Sequence, residues 1–457
     1  MVDTPSLDRK YEYEFDDVVV VLSPGYKICF INLGDEESFD DFCDDFCEDL
    51  GVISDNFEYK EKIGRPKKWR KEVSVEVDYS EVTSIDELMR NNKVDDLNEK
   101  RKIELIISLV TGSINDVKKI DIEEKDNLLD IVKNKIMLFD VDQTNFIYDK
   151  SKDPVIRMQG LSGTGKTELL LHKLKEVYLS SDESRILFTC HNKILAKNLR
   201  ERIPSFFDFM QVKKQIHWQK RLWCIHGWGG KGDINSGTYR YLCDFYNYDY
   251  ETFYRGIDVS GVYFRLAEHI KKNHPDLYAF DYSFLDESQD FPESFIGLLN
   301  VSTRESVYIS GDIFQSIFDE PEESDITPKY TLNKCYRTDP RTLMLAHSMG
   351  MGLFEKKRLQ WLSDESWKAC GYQVKHDNSK VTLKREPIRR FSDGFDISYS
   401  SVLLKDITGH YSNIYKTVLA SIQEIKDENA YFGDCERLFR FIPNTWTSTF
   451  SLSLFLL

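Results

Sequence analysis

The sequence has no long apolar run. Nothing in its 457 residues approaches the roughly 18 consecutive apolar positions that span a bilayer, and no N-terminal segment has the pattern of a signal peptide. A disulfide framework is missing too: the nine cysteines are odd in number and scattered, and only Cys43 and Cys47 stand close together. Neither paired metal-ligand spacing nor an internal repeat stands out. Positive charge is short as well. Against 77 acidic residues stand 61 basic ones, a net −16, so bulk charge does not draw the chain to polyanions and any nucleic-acid site must be a local groove. These absences predict reduced thiols in a soluble, cytoplasmic protein without membrane attachment.

What is present suits an ordinary globular chain. The length predicts about two to four domains, and 41% hydrophobic residues suffice for their cores. Charge is uneven along it. Met1 to Tyr59 carries seventeen Asp and Glu against three Lys and Arg, with strand-like runs Val18–Leu22 and Ile28–Ile31 among them. Residues 60–71, KEKIGRPKKWRK, then hold seven bases and one acid. Such a run reads as an exposed loop in preference to a phosphate-contacting patch. From Ser84 to Leu138 the apolar spacing fits two or three amphipathic helices. A domain boundary is expected near Lys135, closing an α+β accessory domain over residues 1–135.

The middle of the chain changes character. Asp153–Gln159 reads as a buried strand, GLSGTGKT follows at 160–167, and Glu168–Tyr178 continues as a helix. Strand, glycine loop and helix in this order, with Gly160, Gly165, Lys166 and Thr167 at the required spacing, make a phosphate loop. Gly160, Ser162, Gly163, Thr164 and Gly165 would wrap phosphates with main-chain N–H groups, and the helix start adds a favourable dipole. Lys166 would reach the β and γ oxygens, and the Thr167 hydroxyl would coordinate Mg2+.

Such a loop needs a second strand ending beside it with an acid for the metal. The stretch FLDESQDF, 284–291, supplies that pattern behind the apolar run Tyr282–Leu285. Asp286 fits the metal role, and Glu287 is placed to orient or deprotonate the attacking water. Helix capping before Pro292 is the plainer reading of these acids, and the phosphate loop overrides it.

Together with other stretches in the same order, DESQD resembles the first motor domain of superfamily 1 helicases, the UvrD/Rep/PcrA group. Phe139–Ile147 resembles the Q-motif, which makes Gln143 the reader of the adenine edge. Arg185–Ile203 resembles the motif that touches single-stranded nucleic acid, and Cys224–Trp228 stands where the family has its His-Ser-Phe element. Val307–Phe318 resembles GDxxQSIY, with Gln315 sensing the γ-phosphate. Leu332–Thr338 resembles the Asn-Tyr-Arg-Ser motif, with Tyr336 stacking on adenine and Arg337 as the arginine finger. The resemblance spans roughly 139–347 and implies a RecA-like parallel sheet flanked by helices over 136–347. It also implies a helical insert at about 204–276, ATP and Mg2+ as ligands, and single-stranded DNA as partner, with RNA as the alternative. Tryptophans and tyrosines crowd the insert, and core packing explains them better than base stacking.

Departures from the family pattern are specific. Asp319–Ser324 stands where the family has an aromatic and arginine segment, and Cys190 replaces the aromatic of the motif after the phosphate loop. His226 and Trp228 remain as contacts. After Arg337 only 120 residues follow, without the Gly-Leu-Glu or Thr-Arg-Ala elements of a second motor domain. Residues 348–457 therefore read as a partial second domain, beginning with Lys384–Arg390 and a helix at Asn413–Glu428. Asn444–Leu457 has no charged residue. A buried final strand is one reading of that tail, and a truncated product the other. The functional expectation is an ATP-hydrolysing, helicase-like translocase. The alternative is a nucleotide-binding regulatory module of weak ATPase activity that signals to a protein partner through residues 1–135.

Overall fold

The computed structural model describes residues 17–34, 36–116, 136–312, 328–333, 363–377 and 380–384, with a few isolated positions beyond. It divides into two compact units. The first comprises Met1–Tyr148 with Pro204–Gln215, the second Asp149–Ile203 with Ile216–Leu457. Among the described residues no helix is long and apolar enough to cross a membrane.

The first unit is built on a three-stranded sheet in the order β1 (Val18–Val21), β2 (Ile28–Asn32), β3 (Ser74–Asp78). β1 runs antiparallel to β2, and β3 parallel to it. Because β2 is central and covered on both faces, all five of its residues are buried. Ile28 and Phe30 face one apolar cluster, Cys29 and Ile31 the other. Onto the first cluster packs the helix Glu36–Asn56, whose Phe39, Phe42, Cys43, Phe46, Cys47, Leu50 and Ile53 recur at helical spacing while Asp40, Asp41, Asp44 and Asp45 stay exposed. The helix Leu97–Thr111 is capped by Asp96, which accepts from the Glu99 N–H at 2.8 Å, and ends at Gly112 in the left-handed conformation.

The basic run 60–71 is not the expected loop. It forms two short helices, Lys60–Ile63 and Pro66–Glu72, because two apolar side chains within it are anchors. Ile63 and Trp69 are buried in the core, and the Trp69 indole donates to the Ile63 carbonyl at 2.7 Å. Arg70 gathers Asp40, Asp44 and Glu76 around one guanidinium.

The second unit contains one six-stranded sheet, consistent with a RecA-like α/β fold. Its strands are β4 (Val155–Gly160), β5 (Ile186–Cys190), β6 (Leu222–His226), β7 (Phe280–Leu285), β8 (Thr303–Asp312) and β9 (Tyr330–Leu332). The order is β6-β5-β7-β8-β4-β9, and every pairing is parallel. Parallel strands need crossovers, supplied here by helices that include Lys166–Ser180, Lys193–Phe209 and Glu293–Ser302. All strand C-termini therefore lie along one edge, where α/β sheets bind ligands. β8 lies between β4 and β7, with Gly160 opposite Asp312 and Leu285 opposite Ile309.

The interval 204–276 contributes β6, the edge strand of this sheet, as well as helices Thr238–Phe245 and Val259–Asn273. Its aromatics are core: Trp223, Tyr239, Tyr246 and Tyr263 are buried in one cluster with Phe280 and Phe295. Further along, the helix Asp364–Ala369 precedes the antiparallel hairpin of β10 (Gln373–Asp377) and β11 (Lys380–Lys384). Trp367, Cys370 and Tyr372 bury Leu161 of the glycine loop. Lys384 ends β11, whereas 385–390 and nearly all of 413–428 lie outside the described residues; in the uncharged tail, Phe455–Leu456 pairs with Phe439–Arg440.

Candidate nucleotide site

The glycine loop sits between the end of β4 and the start of the helix Lys166–Ser180. Gly163 and Gly165 have φ of 81° and 90°, a region that side chains disfavour, so the turn depends on glycine at both. At Gly160 the constraint is contact. A Cβ there would lie 2.7 Å from Thr164 Oγ1 and 2.9 Å from Leu332 Cβ. Thr164 is fully buried and its hydroxyl donates to the Leu161 carbonyl at 2.9 Å, pinning the loop from within. Ser162 is exposed at the turn. Lys166 is buried, and its Nζ donates to the carbonyls of Gly160 at 2.9 Å and Leu161 at 3.0 Å, with Asp312 Oδ2 at 3.8 Å.

The acid expected beside the loop is there. Thr167 Oγ1 donates to Asp286 Oδ2 at 2.8 Å across 119 residues of sequence. Asp286 is 1% exposed, and its other oxygen accepts from Ser310 Oγ at 2.6 Å and the Glu287 N–H at 3.1 Å. Burial pushes its carboxyl above the usual range against the pull of the Ser310 hydrogen bond, and the neighbouring Glu287 charge adds to the rise. The donors fit Mg2+: a hydroxyl and a carboxylate are hard oxygens, and Mg2+ at nucleotide sites takes one or two such groups with phosphates and waters. Among the described residues no group of three or more His, Cys, Asp or Glu could hold a metal unaided.

Glu287 occupies a left-handed backbone conformation, φ 54° and ψ 53°, that non-glycine residues adopt rarely and mostly where surrounding contacts impose it. Its carboxylate accepts from Gln289 Nε2 at 2.7 Å, and Gln289 Oε1 accepts from the Asp312 N–H at 3.0 Å. Ser310, Gln289 and Asp312 were not singled out from the sequence. The available signal was positional, since Ser310 and Asp312 end a strand beside DESQD.

Other predicted residues divide sharply. Gln143 belongs to the first unit, where it is buried and forms a capping box with Asp140: its Oε1 accepts from the Asp140 N–H at 2.9 Å, and its own N–H donates to Asp140 Oδ1 at 3.0 Å. Gln315, Tyr336 and Arg337 lie outside the described residues. Cys190 is wholly buried at the end of β5. His226 Nε2 accepts from the Gly229 N–H at 3.2 Å, and burial, with Lys193 and His191 nearby, holds its pKa below the ordinary value. Trp228 is partly buried, packed on Tyr239, Phe253 and Tyr263. No protein-family model matches the chain, and no curated protein matches it.

Proposed function

We propose that the chain is an ATP hydrolase of the superfamily 1 helicase type, similar to the UvrD/Rep/PcrA group, that uses hydrolysis to move on single-stranded DNA. The observation that supports it most is the Thr167 to Asp286 hydrogen bond, which joins a glycine loop to a buried acid across the end of β8. Loop N–H groups would hold the triphosphate, and Lys166 would exchange two carbonyls for phosphate oxygens. Thr167 and Asp286 would hold Mg2+, which when bound neutralises charge on the β and γ oxygens. Glu287 would take the proton of the attacking water. By resemblance, Gln315 and Arg337 would act on the γ-phosphate, and Tyr336 on the adenine.

Lys166→Ala should abolish tight Mg-ATP binding, whereas Glu287→Gln should bind nucleotide and lose turnover. Equal turnover in Glu287→Gln and the parent removes the catalytic assignment. ATP turnover unchanged across titrations of single-stranded DNA and RNA removes the translocase. One observation favours a second reading, a nucleotide-binding regulatory module of weak ATPase activity: Cys190, at the family's stacking position, is 0% exposed and offers no face to a base.

A further inference from the structure

Glu287 does not hold its own direction. Its backbone is in a region that L residues avoid, and the following turn, Ser288–Asp290, is a single 3-10 turn. Among the described residues the hydrogen-bond partner of the carboxylate is the Gln289 amide. Gln289 donates to Glu287 Oε2 at 2.7 Å and accepts from the Asp312 main-chain N–H at 3.0 Å, so its two ends are committed to two different elements. The turn can approach β8 this closely because Gly311 has no side chain: a Cβ there would stand 2.5 Å from Ser288 Oγ. Asp312 in turn has its carboxylate 3.8 Å from Lys166 Nζ. A continuous set of polar contacts thus runs from the loop lysine through the end of β8 to the acid.

We propose that Gln289 is a positioning residue that ties the aim of the Glu287 carboxylate to the end of β8. This rests on the hydrolase reading above. Only a side chain with a donor and an acceptor at this reach can serve both ends. Glutamate keeps the acceptor for Asp312 and loses the donor for Glu287; methionine, of similar length, loses both.

The test is steady-state ATP turnover by the full chain with Mg2+ and oligo(dT), for Gln289→Met, Gln289→Glu and Glu287→Gln. Both Gln289 variants should lower kcat about tenfold or more, the scale of a misplaced catalytic group, with KM for ATP and Mg-ADP affinity unchanged. Parent-like kcat in both Gln289 variants, with Glu287→Gln inactive, overturns the proposal and leaves the hydrolase reading standing. Loss of Mg-ADP affinity in step with kcat marks Gln289 as general scaffolding and overturns it as well. Equal turnover in Glu287→Gln and the parent overturns the hydrolase reading and this inference with it.

Discussion

Asp286 should be a residue that costs stability in order to hold a metal, and Asp286→Asn should expose that cost. The side chain is 1% exposed, accepts hydrogen bonds from Thr167, Ser310 and the Glu287 N–H, and stands beside the Glu287 carboxylate. Burial raises its pKa above the unfolded value despite the Ser310 hydrogen bond. The sign follows from linkage: stability from holding the extra proton is complete below the unfolded carboxylate range and is lost as pH rises through the folded value. At neutral pH the ionised group is therefore a net penalty. Asparagine has the same shape, can satisfy both hydroxyls, and carries no charge. Without Mg2+ or nucleotide the variant should be more stable by about 1–2 kcal/mol, the lower part of the range for replacing buried charge. That corresponds to about 2–3 °C in Tm for a unit of this size, and the gap should shrink as pH falls toward the ordinary carboxylate range. Adding Mg2+ with ADP at a hundredfold excess over Kd should stabilise the parent by about 2.7 kcal/mol, whereas the variant gains far less and the order reverses. Thermal melts by circular dichroism, in chelator and in Mg-ADP, measure both halves. A variant less stable than the parent in chelator, or one stabilised equally by Mg-ADP, refutes the reasoning.

Three further outcomes are expected. Gly160→Ala places a methyl within 3 Å of Thr164 Oγ1 and Leu332 Cβ, so it should destabilise the chain by about 1–3 kcal/mol and weaken Mg-ADP binding; unchanged melting and affinity would contradict the packing. Arg70→Ala removes the common partner of Asp40, Asp44 and Glu76 and should cost about 1–2 kcal/mol in denaturant melts, less at high salt because the acids are largely solvent-facing. A loss insensitive to salt would mean that the arginine acts through packing alone. Cys190 and Cys224 are buried, and burial pushes the Cys224 thiol up to about 12, so peptide mapping after iodoacetamide should find both unmodified until the chain melts.

The parts of the site that were legible in the sequence are those written locally. A strand, a glycine loop and a helix are contiguous, so β4, the turn and Lys166 could be placed from spacing alone. Asp286 was legible because an acid must follow a buried strand, and Leu285 ends one. Ser310 was not, since its bond to Asp286 exists only because β8 inserts between β4 and β7, and strand order in a parallel sheet is not a local property. The run 60–71 was misread for a related reason. Seven bases dominate its composition, but Ile63 and Trp69 decide its structure, and their burial depends on partners far away in the chain. β6 was hidden in the interval read as an insert, because five residues of apolar sequence resemble the end of a helix as well as a strand.

The position of β8 gives the site a logic that neither motif has alone. The glycine loop ends β4 and the acids end β7, so these two elements do not pair with each other; each pairs with β8. At its C-terminal end β8 presents Ser310 to Asp286, an N–H from Asp312 to Gln289, and the Asp312 carboxylate toward Lys166. Any shift of that strand end changes the solvation of the buried acid, the aim of Glu287 and the charge beside the lysine at once. Among the described residues no other strand touches both the loop strand and the acid strand, so β8 is the strand through which the glycine loop and the acid turn can influence each other.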